Sequence, residues 1–63
     1  MPDHELPNIG APATRALASI DVSFLDRLVD HSEEELLALH GLGPRALRLL
    51  QEALTAAGLS LRS

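Results

Sequence analysis

The chain has 63 residues, a formal net charge of −4, no cysteine and one aromatic residue, Phe24. That length allows one small domain that buries about 60% of its unfolded surface, and the absence of cysteine excludes disulfides and thiolate zinc sites. No apolar run approaches the roughly 20 residues of a membrane span and no secretory signal is visible, so a cytoplasmic protein is expected.

Leu and Ala supply most of the apolar volume, which favours helix over strand. Residues 1–5 are polar and aperiodic, which predicts a flexible N-terminus ahead of a single domain over 6–63. Met1 points to a free-standing chain. Leu6-Pro7-Asn8-Ile9-Gly10 reads as a first hairpin, with Asn8 in a left-handed conformation that Asn tolerates best after Gly. Helix one is predicted from Ala11 or Pro12 to Ser19 or Ile20, with Ala13, Ala16, Leu17 and Ile20 as its buried stripe. Asp21-Val22 breaks it. Ser23 with Asp26 resembles a capping box for a second helix over Phe24 to Asp30, burying Phe24 or Leu25 with Leu28.

Ser32 with Glu35 is a cleaner capping box. It starts a third helix whose Glu33, Glu34 and Glu35 suit the positive end of the helix dipole. Leu36, Leu37 and Leu39 are expected inward. Leu39-His40-Gly41-Leu42-Gly43 then forms a second hairpin, in which both glycines take angles closed to other residues and Leu42 turns in as a plug. Pro44 fits the first position of a last helix running to about Ala57. Leu47, Leu50 and Leu54 make its seam, widened by Leu49, Ala53 and Ala57. Gly58 is a suitable stop, and Leu59 and Leu61 fold back on the core.

The two hairpins repeat at an offset of 33: Leu6 with Leu39, Ile9 with Leu42, Gly10 with Gly43, Ala13 with Ala46, Arg15 with Arg48 and Leu17 with Leu50. Neither repeat could bury its apolar face alone. The expected fold is therefore all-α, a compact four- to five-helix domain made of two helix-hairpin-helix-like units. Charge is uneven along it. Residues 41–63 hold Arg45, Arg48 and Arg62 against Glu52, a net +2; residues 1–40 hold two arginines against eight acids, a net −6.

Catalysis finds little support. Cysteine, tyrosine and lysine are absent, the serines have no evident partner base, and His4, His31 and His40 are scattered. His31 can touch Glu35 or Asp30 without completing a metal set. No enzyme, metal or cofactor is expected. The second hairpin is the place for a ligand. A helix N-terminus attracts phosphate through its free amides, and Arg45 and Arg48 stand three residues apart at that end.

Leu28-Val29, Glu33 to Leu37, Leu42-Gly43 and Ala57-Gly58-Leu59-Ser60-Leu61 carry a likeness over residues 6–61. The stretch resembles helix-hairpin-helix domains and is more closely similar to the C-terminal domain of the bacterial RNA polymerase alpha subunit. The resemblance implies DNA contacts at Gly43, at Arg45 (a lysine there) and at Ala46 (a serine there). The family's DNA-reading arginine falls on Pro12, which can donate nothing, and its asparagine one turn later falls on Arg15. Leu47 stands where the wider pattern has a small residue, and Ala46 comes one earlier.

Two functions follow. One is non-specific binding of double-stranded DNA, with amides of Gly41, Gly43 and Arg45 and the side chains of Arg45, Arg48 and Arg15 on phosphates. The other is a protein-interaction or adaptor module without DNA binding, with a partner such as one from the transcription machinery. A monomer is expected in either case.

Overall fold

A computed structural model describes residues 4–62. Its elements are helix α1 (Ala11–Ala18), a 3-10 helix η1 (Leu25–Asp30), α2 (Glu33–Leu37) and α3 (Pro44–Ala56), with no strand among the described residues. Helix α3 packs against both α2 and η1.

Each helix places leucine or alanine in one core. Ala13, Ala16 and Leu17 come from α1, Leu25 and Leu28 from η1, Leu36 from α2, and Ala46, Leu47, Leu50 and Leu54 from α3. Val22 and the hairpin residue Leu42 complete it, and no polar or charged residue is buried among the described residues. Leu42 is the inward plug its position between two glycines predicts. Ile20, Leu39, Ala53, Ala57, Leu59 and Leu61 pack at the edge of the core. Leu37, expected inward, is 43% exposed. Successive helical residues point about 100° apart, so with Leu36 buried in the core its neighbour turns outward.

The second helix differs most from expectation. It is 3-10, begins at Leu25, and has Phe24 in extended conformation at its N-cap. A 3-10 helix aligns residues i and i+3, which suits Leu25 and Leu28, the two buried residues of η1. Phe24 is left 38% exposed. Ser23 makes no cap. Asp26, its expected partner, instead accepts from the backbone N–H of His4 at 3.2 Å and meets His4 Nδ1 at 2.8 Å. The Leu25 amide donates to the His4 carbonyl at 2.9 Å, and Glu5 bridges Phe24. Of the stretch expected to be flexible, residues 1–3 lie outside the described residues, while His4 and Glu5 are fixed to the start of η1.

Two helix ends close alike. After α3 the Leu59 amide donates to Leu54 O at 2.7 Å and Gly58 N to Thr55 O at 3.0 Å. After α1 the Val22 amide donates to Leu17 O at 2.9 Å and Asp21 N to Ala18 O at 3.1 Å. Both are Schellman motifs, which need a left-handed residue. Gly58 supplies it at φ +76°, and Asp21 supplies it at φ +60°. Asp21 is thus the stop for α1, whose last residue, Ala18, falls two short of the longest expected helix.

At the N-terminus of α2, Ser32 Oγ accepts from Glu35 N at 3.2 Å and Glu35 Oε1 accepts from Ser32 N at 3.1 Å. This is the predicted capping box. Glu35 also holds the chain's far end. The Arg62 guanidinium pairs with it, and Arg62 N donates to His31 O at 2.9 Å. The whole measures 26 × 22 × 18 Å.

Candidate nucleic-acid interface

The second hairpin is built from one turn and one helix start. The Leu42 amide donates to Leu39 O at 3.3 Å, and Gly41 has φ +95°. This is a type II turn with His40 at its first central position and glycine at the second, where φ must be positive. A Cβ on Gly41 would also lie 3.0 Å from the Pro12 carbonyl oxygen and 3.6 Å from Pro12 Cβ. Gly41 is therefore required twice, by conformation and by close approach. That approach sets the start of α1 against the second hairpin, so Pro12 adjoins Gly41 at the surface.

Gly43 behaves differently. Its angles are φ −98° and ψ 178°, extended backbone open to any residue, and a Cβ there would meet nothing within 4 Å. The expectation that both glycines need restricted angles holds for Gly41 and fails for Gly43. Ser32, the working cap of α2, has φ −97° and ψ 165°, nearly the same conformation. A serine at position 43 could cap α3, yet glycine stands there and no side chain caps the helix. Leu47 N donates to Gly43 O at 3.0 Å, closing the first turn. Pro44 has no N–H, so the amides of Arg45 and Ala46 remain as the open donors of this turn.

The repeat breaks at the same level. In the first hairpin the positive φ falls on Gly10 (+92°), the counterpart of Gly43, and Asn8 is not left-handed. Asn8 Oδ1 instead accepts from Gly10 N at 3.4 Å. Gly10 is the N-cap of α1, again without a side-chain cap and with Pro12 in the first turn.

Arg45, Arg48 and Arg15 are all exposed. Arg48 Nε lies 3.6 Å from Glu52 Oε2, with side chains 82% and 65% exposed. Such a pair contributes about 0.3–0.5 kcal/mol and leaves Arg48 free to change partner. Arg45 and Arg15 pair with no carboxylate among the described residues. Gly41, Gly43, Arg45 and Arg48 thus follow one another along the hairpin and the first two turns of α3. Arg15 stands on the neighbouring helix, one turn beyond Pro12.

Compared with protein-family models, curated proteins and solved structures, the chain matches none.

Two further pairs, each with a histidine, lie apart from the hairpin. His31 Nδ1 meets Glu35 Oε2 at 3.3 Å and His4 pairs with Asp26, at separate places. No group of three or more His, Cys, Asp or Glu among the described residues can hold a metal ion. Glu35 is held below the usual carboxylate range, first by the Ser32 amide and then by the His31 hydrogen bond, with Arg62 adding to them. That shift belongs to a cap and a clasp. No helix among the described residues is long and apolar enough to cross a membrane.

Sequence reasoning singled out Gly41 and Gly43 together but not the difference between them. The contact between Gly41 and Pro12 joins positions 29 apart in the chain, and no local signal announces it.

Proposed function

We propose that this chain is a non-catalytic binding module that holds the phosphate backbone of double-stranded DNA, without reading its sequence. The surface is the second hairpin and the N-terminus of α3, in a domain of two helix-hairpin-helix-like units similar to the polymerase alpha C-terminal domain. The amides of Gly43, Arg45 and Ala46 would meet one phosphate, with Arg45, Arg48 and Arg15 neutralising it and its neighbours.

Gly43 is the observation that carries this reading. The fold has no use for a glycine there, since its angles and surroundings admit a side chain. An approaching phosphate does, because a Cβ or a capping hydroxyl would compete for the open amides. Pro12, Ala11 and Ala46 offer no side-chain donor to base edges, so contacts there position without specifying. Such a module would work in the cytoplasm as a monomer, in transcription or DNA maintenance.

The test is an NMR titration with a short mixed-sequence duplex at about 20 mM and about 150 mM salt, a range over which phosphate contacts weaken steeply. Shifts at the amides of Gly41 to Arg48 that shrink at the higher salt support the reading. A spectrum unmoved at low salt refutes it. It would then favour the adaptor reading, which rests on the net charge of −4 and on the exposed Phe24 and Leu37.

A further inference from the structure

The segment after α3 is held firmly at its root and lightly at its tip. At the root the Leu59 amide donates to Leu54 O at 2.7 Å, closing the Schellman motif. At the tip Arg62 N donates to His31 O at 2.9 Å, in an isolated parallel bridge with Ser32. Between them, the backbones of Ser60 and Leu61 bond to no other backbone group among the described residues. Leu61 packs half-buried at the edge of the core, and Ser60 is exposed. Arg62 lines one open cleft with Ser32, Glu33 and Glu34. Leu59, Ser60 and Leu61 line another with Gln51, Leu54 and Thr55 of α3. The segment is thus a wall of both.

We propose that residues 60–62 are a strap, latched by Arg62 onto Glu35, that opens while α1, η1, α2 and α3 stay folded and so removes a wall of both clefts. The latch is one carboxylate. Glu35 Oε1 accepts from the Ser32 amide and from the Arg62 guanidinium, and Oε2 meets His31 Nδ1. The capping box of α2 therefore aims the group that holds the strap. The two latch side chains are 60% and 42% exposed, and an ion pair so exposed contributes little. A single backbone bond outside a ladder adds a modest net amount, while fixing each strap residue costs backbone entropy. The core elements are held instead by fully buried Leu28, Leu36, Leu50 and Leu54. Opening of the strap is thus a local event that leaves these contacts intact.

The experiment is amide hydrogen exchange by NMR, in water and in low urea, on the natural chain, Glu35→Gln, Arg62→Ala and the double variant. Glutamine keeps its half of the capping box and removes the charge that Arg62 meets. In the natural chain the amide of residue 62 should be less protected than those of Leu50 and Leu54. Its exchange should be insensitive to low urea, because the strap exposes little surface, while exchange at Leu50 and Leu54 should quicken steeply. Each single variant should speed exchange at residue 62 about two- to fivefold, the range of one exposed ion pair. The double variant should be no faster than the singles, since both remove the same contact. The same urea dependence at residue 62 and at Leu54 would mean that the strap opens only with the whole domain, and overturns the proposal. Single variants without effect at residue 62, or effects that multiply in the double, overturn the latch.

Discussion

Substituting the two hairpin glycines should have opposite consequences. At Gly41 an alanine must take φ +95°, at a cost of about 1–2 kcal/mol for a left-handed L-residue. It must also push its Cβ off a carbonyl oxygen 3.0 Å away. The stiffer unfolded chain returns about 0.4–1 kcal/mol, so Gly41→Ala should lose about 1–2 kcal/mol net. At Gly43 the angles suit a capping serine and the space is open. Gly43→Ser should gain a few tenths of a kcal/mol from the cap and a similar entropic share. In a domain of this size 1 kcal/mol shifts Tm by about 4–8 °C, so the two variants should melt about 8–16 °C apart by circular dichroism. Gly43→Ser should also lose duplex binding while remaining folded. Equal melting losses in the two variants would refute the assignment of separate roles. A stable Gly43→Ser that binds DNA normally would refute the phosphate site.

Other positions give independent checks. Ser32→Ala removes one half of the capping box and should cost about 1 kcal/mol in urea unfolding; no change would mean that α2 is held by Leu36 alone. Asp21→Gly relieves a left-handed acidic residue at the negative end of α1 and should raise stability by about 0.5–1 kcal/mol, with a lower Tm counting against the strain. Glu35 is held below its ordinary value of 4.5, so its folded-state stabilisation is present above about that pH and is lost as pH falls through the lowered value. The melting advantage of the natural chain over Glu35→Gln should therefore vanish in acid, and an advantage constant from pH 6 to pH 3 would exclude the ionised carboxylate as its source. Arg45→Ala with Arg48→Ala should leave Tm within about 2 °C, as expected of exposed side chains, and should abolish duplex binding; unchanged affinity would place the site elsewhere.

What the sequence made legible was local. The Ser32–Glu35 box, the Pro44 start and the Gly58 stop each depend on residues within one turn, and the structure has all three. The Leu47, Leu50 and Leu54 seam is equally local, set by helical spacing. The departures are tertiary. Asp26 stands where a cap partner for Ser23 belongs, but His4, 22 positions away, takes its carboxylate. Leu37 is as apolar as Leu36, and only the way α2 is set against the core decides which of them is buried. Asp21 acts as a glycine would, so composition marked a break there without its conformation. At the site, Gly41 and Gly43 are indistinguishable as letters. The positive φ of Gly41 and the nearness of Pro12 make one structural and leave the other spare.

That difference bears on the charge argument, which first reads against DNA. A net charge of −4 matters less than where the acids lie, because exposed charges farther apart than about 8 Å are largely screened at physiological salt. Glu33, Glu34 and Glu35 all fall in the first turn of α2, the helix that Ser32 caps. The first turns of α1 and α3 contain no acid and have no side-chain cap. These two starts adjoin through Gly41 and Pro12, and Arg15 and Arg45 near them have no carboxylate partner among the described residues. The acid-rich first turn is thus the one with a side-chain cap, and the two uncapped first turns hold no acid. At the proposed phosphate site this local arrangement would outweigh the overall sign of the chain, whose more distant charges are screened.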